Sequence, residues 1–258
     1  MNALPMRAVP MTPAARHAVE LAHVSKHYGK LAVLEDISLA APVGSVLAIV
    51  GASGCGKSTL LNIVAGLVKA DSGSVQIDGV ADGPDQDTRV ISYMFQEDRL
   101  LPWRTIIANT EFGLEAGSLN AQARRERALE ALKMTGLEGF ENAYPHELSG
   151  GMRSRVALAR SLVVKPYILL MDEPFSKLDP QMRSQMHQEV LRIREQLKMT
   201  VVFVTHDVEE AIVLADRVVV LRPRPGRVRD VLPIDLARPR DPLAADVAET
   251  VRRVRALI

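Results

Sequence analysis

The sequence predicts an α/β fold with a mostly parallel central sheet covered on both faces, antiparallel β elements on its N-terminal side and an inserted α-helical subdomain. Three observations carry this. Short, nearly continuous apolar runs alternate with stretches of helical character, the pattern of strands buried on both faces of a parallel sheet. Between Gln96 and Lys165 the strand signal fades and helical patterns replace it. A glycine-rich turn stands where one apolar run gives way to a helix. The 258 residues, 47% hydrophobic and 24% charged, suffice for one sizeable core with a smaller subdomain.

Taken in chain order, residues 1–20 carry basic residues but no apolar block followed by a small-residue cleavage site. They read as a flexible tail and not as a secretory leader. Strands are expected in GSVLAIVG (44–51), SVQIDG (74–79), VISYMF (90–95), YILLMDE (167–173) and TVVFVTH (200–206). Helices are expected over 119–137 and 149–164, within a subdomain spanning 97–164. The exit falls at Lys165, because Pro166 disfavours helix in the residue before it. Segments 21–96 and 165–235 then form one core, and 236–258 a C-terminal helical tail.

Composition excludes several roles. With 32 Lys and Arg against 31 Asp and Glu, the chain lacks the bulk positive field of a nucleic-acid coat, so no nucleic-acid partner is expected. A single Cys makes neither an internal disulfide nor a zinc cluster, which suits a reducing compartment. No apolar run approaches the ~20 residues of a membrane-spanning helix. From Arg217 onward ten Arg face five acids, which reads as a solvated mixed face.

GASGCGKST, comprising Gly51, Ala52, Ser53, Gly54, Cys55, Gly56, Lys57, Ser58 and Thr59, fits G-x-x-x-x-G-K-[ST] between a strand and a helix. Its glycines let successive N–H groups turn inward around phosphate oxygens, and the following helix adds the positive end of its dipole. Lys57 can reach terminal phosphates, and the Ser58 hydroxyl can bind Mg²⁺. These features identify a P-loop NTPase fold without choosing among kinase, GTPase and ATPase. Cys55 lies beside a lysine and a helix start, both of which lower a thiol pKa, so a reactive thiol stands against a small residue filling the loop, the plainer reading.

YILLMDEP ends an apolar strand in two carboxylates. Asp172 at the strand tip is placed for the metal, and Glu173 to orient and deprotonate an attacking water. His206 ends another apolar strand. Because strand tips of an open parallel sheet converge on one edge, Lys57, Glu173 and His206 are expected around one γ-phosphate.

LSGGMRSRVALARSL (148–162) precedes the carboxylate strand, and with it the sequence resembles the nucleotide-binding subunit of ATP-binding cassette (ABC) transporters over roughly residues 20–235. Ser149, Gly150 and Gly151 open a helix and offer a second set of anion-binding N–H groups. The resemblance implies ATP and Mg²⁺ as ligands, with Tyr28 stacking on adenine, Gln96 joining Ser58 and Asp172 at the metal, SKLD (176–179) with Asp179 as the D-loop, and His206 as a γ-phosphate switch. It also implies a head-to-tail homodimer in which Ser149 to Gly151 close over ATP held by the other copy. Met152 and Lys177 depart from the family's usual Gln and Ala.

MFQEDRLLPWRTIIANTEFGL (94–114), with LSGGMRSRV and LRPRPGRV, resembles importers of nitrate, aliphatic sulfonates, taurine and related small nutrients. That branch implies a peripheral subunit on the cytoplasmic face of the inner membrane. It would dock an integral membrane permease near Leu100, Leu101, Pro102 and Trp103, each of which reads alternatively as subdomain core, with Trp103 the foremost docking candidate, and serve an extracytoplasmic solute-binding protein indirectly. A non-transport cassette ATPase would carry two cassettes or nucleic-acid-binding insertions, and a phosphotransferase would have no use for LSGG.

Overall fold

The protein is described by a computed structural model over residues 16–77, 80, 81 and 91–258. Two long strands, β1 (His17–Tyr28) and β2 (Leu31–Pro42), form an antiparallel hairpin, and β4 (Ser72–Ile77) with the short β5 (Val80–Ala81) extends it in the order β2-β1-β4-β5. The first strand begins inside the stretch read as tail: His17 to Glu20 are paired β residues, with Ala18 and Val19 buried. Residues 1–15 lie outside the described part, as do Asp78, Gly79 and Val90 of two expected strands.

The central sheet has the order β10-β9-β3-β8-β7-β6. Its members are β3 (Val46–Gly51), β6 (Ile91–Met94), β7 (Ile168–Asp172), β8 (Thr200–Thr205), β9 (Arg217–Arg222) and β10 (Arg227–Pro233). All pairings are parallel except that of β9 with β10. Every residue of β3 and β8 is buried, which explains why these segments read as unbroken apolar runs.

Side chains alternate between two cores. Leu47, Ile49, Val202 and Val204 face the hairpin sheet and α1 (Lys57–Val64). Val46, Ala48, Val50, Val201 and Phe203 face the helices α4 (Gly150–Leu162), α5 (Pro180–Leu197), α6 (Val208–Leu214) and α7 (Ala245–Arg255). Each fully buried Leu, Val or Phe contributes roughly 1.5–3 kcal/mol. A third core belongs to α2 (Ile106–Glu111), α3 (Ala121–Met134) and the outer face of α4. Helix α4 serves two cores at once: Ala157, Leu158 and Leu162 pack on the sheet, while Val156, Ala159 and Val163, just beyond its end, pack on the helical subdomain.

The C-terminal segment is less of a tail than its sequence suggests. Val247, Val251 and Val254 form one helical stripe buried in the sheet-facing core, against α6. Arg240, from the Arg-rich region read as a solvated face, is buried and staples the chain. Its guanidinium donates to the carbonyls of Leu236, Ile212, Ala215 and Ile234.

Candidate functional site

Sheet register creates the site. Val50 pairs with Thr205, Asp172 with Val204 and Gly51 with Leu221, so β3, β7, β8 and β9 end together and release Gly51, Glu173 and His206 at one edge. At the first of these tips the chain turns into α1 through Gly56, whose φ of +96° lies in the region that favours glycine. Helices α2 to α6 each start with a side-chain oxygen accepting a backbone N–H, from Thr105, Asn120, Ser149, Asp179 and Asp207 respectively. Helix α1 has no such cap, which leaves its first turn to the loop it closes.

Val33, Ser53, Gly54, Gly56, Lys57, Ser58, Thr59 and Glu173 line a recess of about 240 Å³. Lys57 is 5% exposed, and its ammonium donates to the carbonyls of Gly51 (2.9 Å) and Ala52 (3.2 Å) across the loop. Gly226, preceding β10, packs directly behind this loop. A Cβ there would stand 2.2 Å from the Cys55 carbonyl, and Gly226 bridges Leu34 of the hairpin. The Cys55 side chain is 1% exposed among core residues, and burial pushes its thiol up, outweighing the opposing pull of Lys57. Of the two readings of Cys55 the plainer one fits: its side chain fills space beneath the loop.

The carboxylates divide as their positions suggest. Asp172 accepts from the Ser58 hydroxyl (3.0 Å) and from the Tyr93 hydroxyl (3.3 Å). Burial raises its carboxyl, against the lowering effect of those two donors. Tyr93, which sequence reading passed over inside an apolar strand, is pushed up in turn by burial and by Asp172. An all-oxygen set of one hydroxyl and a nearby carboxylate suits a hard cation such as Mg²⁺, which takes its remaining ligands from water and phosphate. The described residues hold no cluster of three or more His, Cys, Asp or Glu side chains able to bind a metal alone.

Glu173 has a left-handed φ of +45°, a conformation costing roughly 1–3 kcal/mol, held by its N–H donating to Val204 O (3.0 Å). The turn aims its carboxylate at two neighbours, His206 Nδ1 (3.1 Å) and Gln96 Nε2 (3.3 Å). Gln96 thus faces Glu173 and Ser176, and not the Ser58–Asp172 pair with which it was grouped. Tyr28, half exposed, stands at the end of β1 with the Lys26 ammonium 5.4 Å from its ring centre.

Ser149 to Gly151 line none of that recess. Gly150 borders another one, with Gln96, Arg153, Pro174 and Lys177. The Ser149 hydroxyl caps α4 by accepting from Met152 N (3.2 Å), and Asp179 caps α5 by accepting from Met182 N (2.9 Å). Lys177 pairs with Glu97 (3.4 Å) on the surface.

In the segment after Gln96, Leu100 is buried in the helical-subdomain core, the second of its two readings, and so leaves the docking residues. Leu101 is half-buried and Trp103 is 72% exposed. Asn109, buried in α2 and missed by sequence reading, holds this loop. It accepts from Leu101 N and donates to the carbonyls of Leu101, Arg104 and Thr105. Arg160 of α4 holds the loop's start through the carbonyls of Asp98 and Arg99. No helix among the described residues is long and apolar enough to cross a membrane.

Comparisons with known proteins agree with this geometry. The family model for ABC transporters matches residues 34–176. An uncharacterized ABC transporter ATP-binding protein, MJ0412, of Methanocaldococcus jannaschii is 47% identical over 87% of this chain and 84% of its own length. The taurine import ATP-binding protein TauB of Escherichia coli O157:H7 is 43% identical over 85% of this chain and 86% of its own. Among solved structures, a dimeric post-hydrolysis state of the ATP-binding cassette MJ0796 bound to ADP and Pi has a TM-score of 0.74 at 35% identity, covering 85% of this chain and all of that one. CbiO1 from Clostridium perfringens, part of the ABC transporter complex cbiONQ, has a TM-score of 0.78 at 28% identity, covering 93% of this chain and 95% of that one. With its phosphate loop, carboxylate pair and LSGG helix in the order this family carries them, the chain belongs to the ABC transporters and is one of their ATP-hydrolysing subunits.

Proposed function

We propose that the chain is the motor of an importer for a small anionic or organic nutrient of the taurine, sulfonate or nitrate kind. The solute class rests on the likeness to taurine import proteins. The coupling rests on the single arrangement of Glu173 between Gln96 and His206 at the edge of the phosphate recess.

Tyr28 stacks on adenine, while the backbone of Gly51 to Thr59 and the Lys57 ammonium hold the phosphates. To do so, Lys57 exchanges loop carbonyls for phosphate oxygens. Ser58 and Asp172 would hold Mg²⁺, which would supply neutralisation of phosphate charge there. Glu173 accepts a proton from water as its oxygen bonds to the γ-phosphorus and the bond to the bridging oxygen breaks. His206 holds Glu173 in place and registers the γ-phosphate, and Gln96 carries that state into the helical subdomain. Ser149, Gly150, Gly151 and Asp179 act on ATP held by a second copy, a reading supported by their absence from the lining of this chain's own recess.

Two copies close on two ATP molecules and reopen after hydrolysis, at the cytoplasmic face of the inner membrane. The permease contact is made through Leu101, Pro102 and Trp103, and the solute-binding protein acts from the other side. Glu173→Gln tests this reading. It is expected to bind MgATP with unchanged affinity, to accumulate as an ATP-dependent dimer in gel filtration, and to lose roughly 10³-fold or more in turnover. Turnover near that of the parent overturns the assignment.

A further inference from the structure

Two helices that begin next to each other, α4 and α5, carry at their starts the segments assigned above to the second copy's ATP. Their contact is tight at one point. A Cβ on Gly151 would lie 1.8 Å from the Met182 terminal methyl and 3.4 Å from its sulfur. Met182 stands in the first turn of α5, and its N–H donates to the Asp179 carboxylate (2.9 Å). Gly151 is buried in the first turn of α4, whose cap is Ser149. One half-buried side chain therefore joins the Ser149–Gly151 turn to the Asp179 turn, crossing from the subdomain's helix to the core's. A flexible thioether suits this place, since it can fill a narrow gap against a bare backbone.

We propose that Met182 is a positioning residue for ATP hydrolysis, seating under Gly151 to fix the height of the Ser149–Gly151 donors relative to Asp179 so that both meet the opposing ATP together. The proposal rests on the trans reading given above.

The test is a set of variants measured for MgATP affinity, with a fluorescent ATP analogue, and for steady-state turnover. Met182→Ala is expected to keep affinity within about twofold and to lower kcat about tenfold, while Met182→Leu, which refills the gap, recovers most of the rate. Gly151→Ala is expected to push the flexible end of Met182 out of its seat and so to lower kcat about tenfold, as Met182→Ala does, with the double variant no more than about twofold slower than Gly151→Ala alone. Unchanged kcat in Met182→Ala, or losses that multiply in the double variant, overturns the proposal. In the Glu173→Gln background, loss of the ATP-dependent dimer without any Met182 change would instead sink the trans reading beneath it, so the two failures are told apart.

Discussion

At the scale of single residues, burial decides chemistry more firmly than chain neighbours do. Cys55 has the neighbours of an activated thiol, yet it is packed beneath the loop with its pKa raised. Labelling with a thiol reagent near pH 7.5 is expected to be slow in the native chain and rapid and stoichiometric once it is unfolded in guanidinium. Fast native labelling with loss of ATPase activity would contradict the buried placement. Two other buried groups set a pH dependence. Burial raises the Glu210 carboxyl from 4.5 to about 8, so between those values the folded chain keeps a proton the unfolded chain has lost, and stability falls as pH rises. Burial lowers the His187 imidazole from 6.5 to about 4, so there the unfolded chain holds the extra proton and stability falls as pH drops. The slopes oppose each other below pH 6.5, and from 6.5 to 8 Glu210 acts alone. Denaturation midpoints of the parent are expected to decline across that upper window, by up to about 1.4 kcal/mol per pH unit, and Glu210→Gln to flatten the decline. An unaltered slope in the variant would place the titration elsewhere.

At the scale of elements, the loop from Leu100 to Arg104 shows how two neighbouring leucines and a tryptophan take different fates. Leu100 turns into the subdomain core, whereas Trp103 is left outward by a backbone that Asn109 and Arg160 hold at several carbonyls. Trp103→Ala is expected to leave ATPase activity of the isolated chain within about twofold and to weaken association with detergent-solubilised permease about tenfold or more. Equal association of variant and parent in a co-purification assay would move the docking surface elsewhere. The phosphate loop, the Asp172–Glu173 pair and the LSGG turn were legible in sequence because their chemistry needs particular residues at fixed local spacing. Asn109, Tyr93 and Arg240 were not, since an amide, a phenol and a guanidinium are commonplace until tertiary contacts bury them. For Leu100 the choice between core and docking surface stayed open for the same reason, as apolar runs mark both alike.

At the scale of the whole molecule, the alternation of apolar runs and helices gave the central sheet and the inserted helices. The boundaries were read less well. The hairpin begins at His17, where a tail was expected, because its strands alternate buried and exposed residues and so resemble polar chain. The C-terminal helix was read as appended, yet its three valines complete the core under α6. Val254→Asp is therefore expected to destabilise the whole chain by roughly 3 kcal/mol or more, through an unpaired buried charge, and to lower ATP binding in parallel with folding. Chemical denaturation monitored at Trp103 and by circular dichroism checks this, and an unchanged midpoint would show that α7 is dispensable.

Helix α4 ties these scales together. Under the proposed function its Ser149 end serves a second copy's ATP; its Arg160 end donates to the carbonyls of Asp98 and Arg99 in the loop leading to Trp103, and its flanks pack in two cores. Over the roughly 16 Å between those two ends, at 1.5 Å per residue, an α-helix has little slack along its axis. Under the proposed function such a helix is a push-rod: axial travel imposed at one tip reaches the other nearly undiminished.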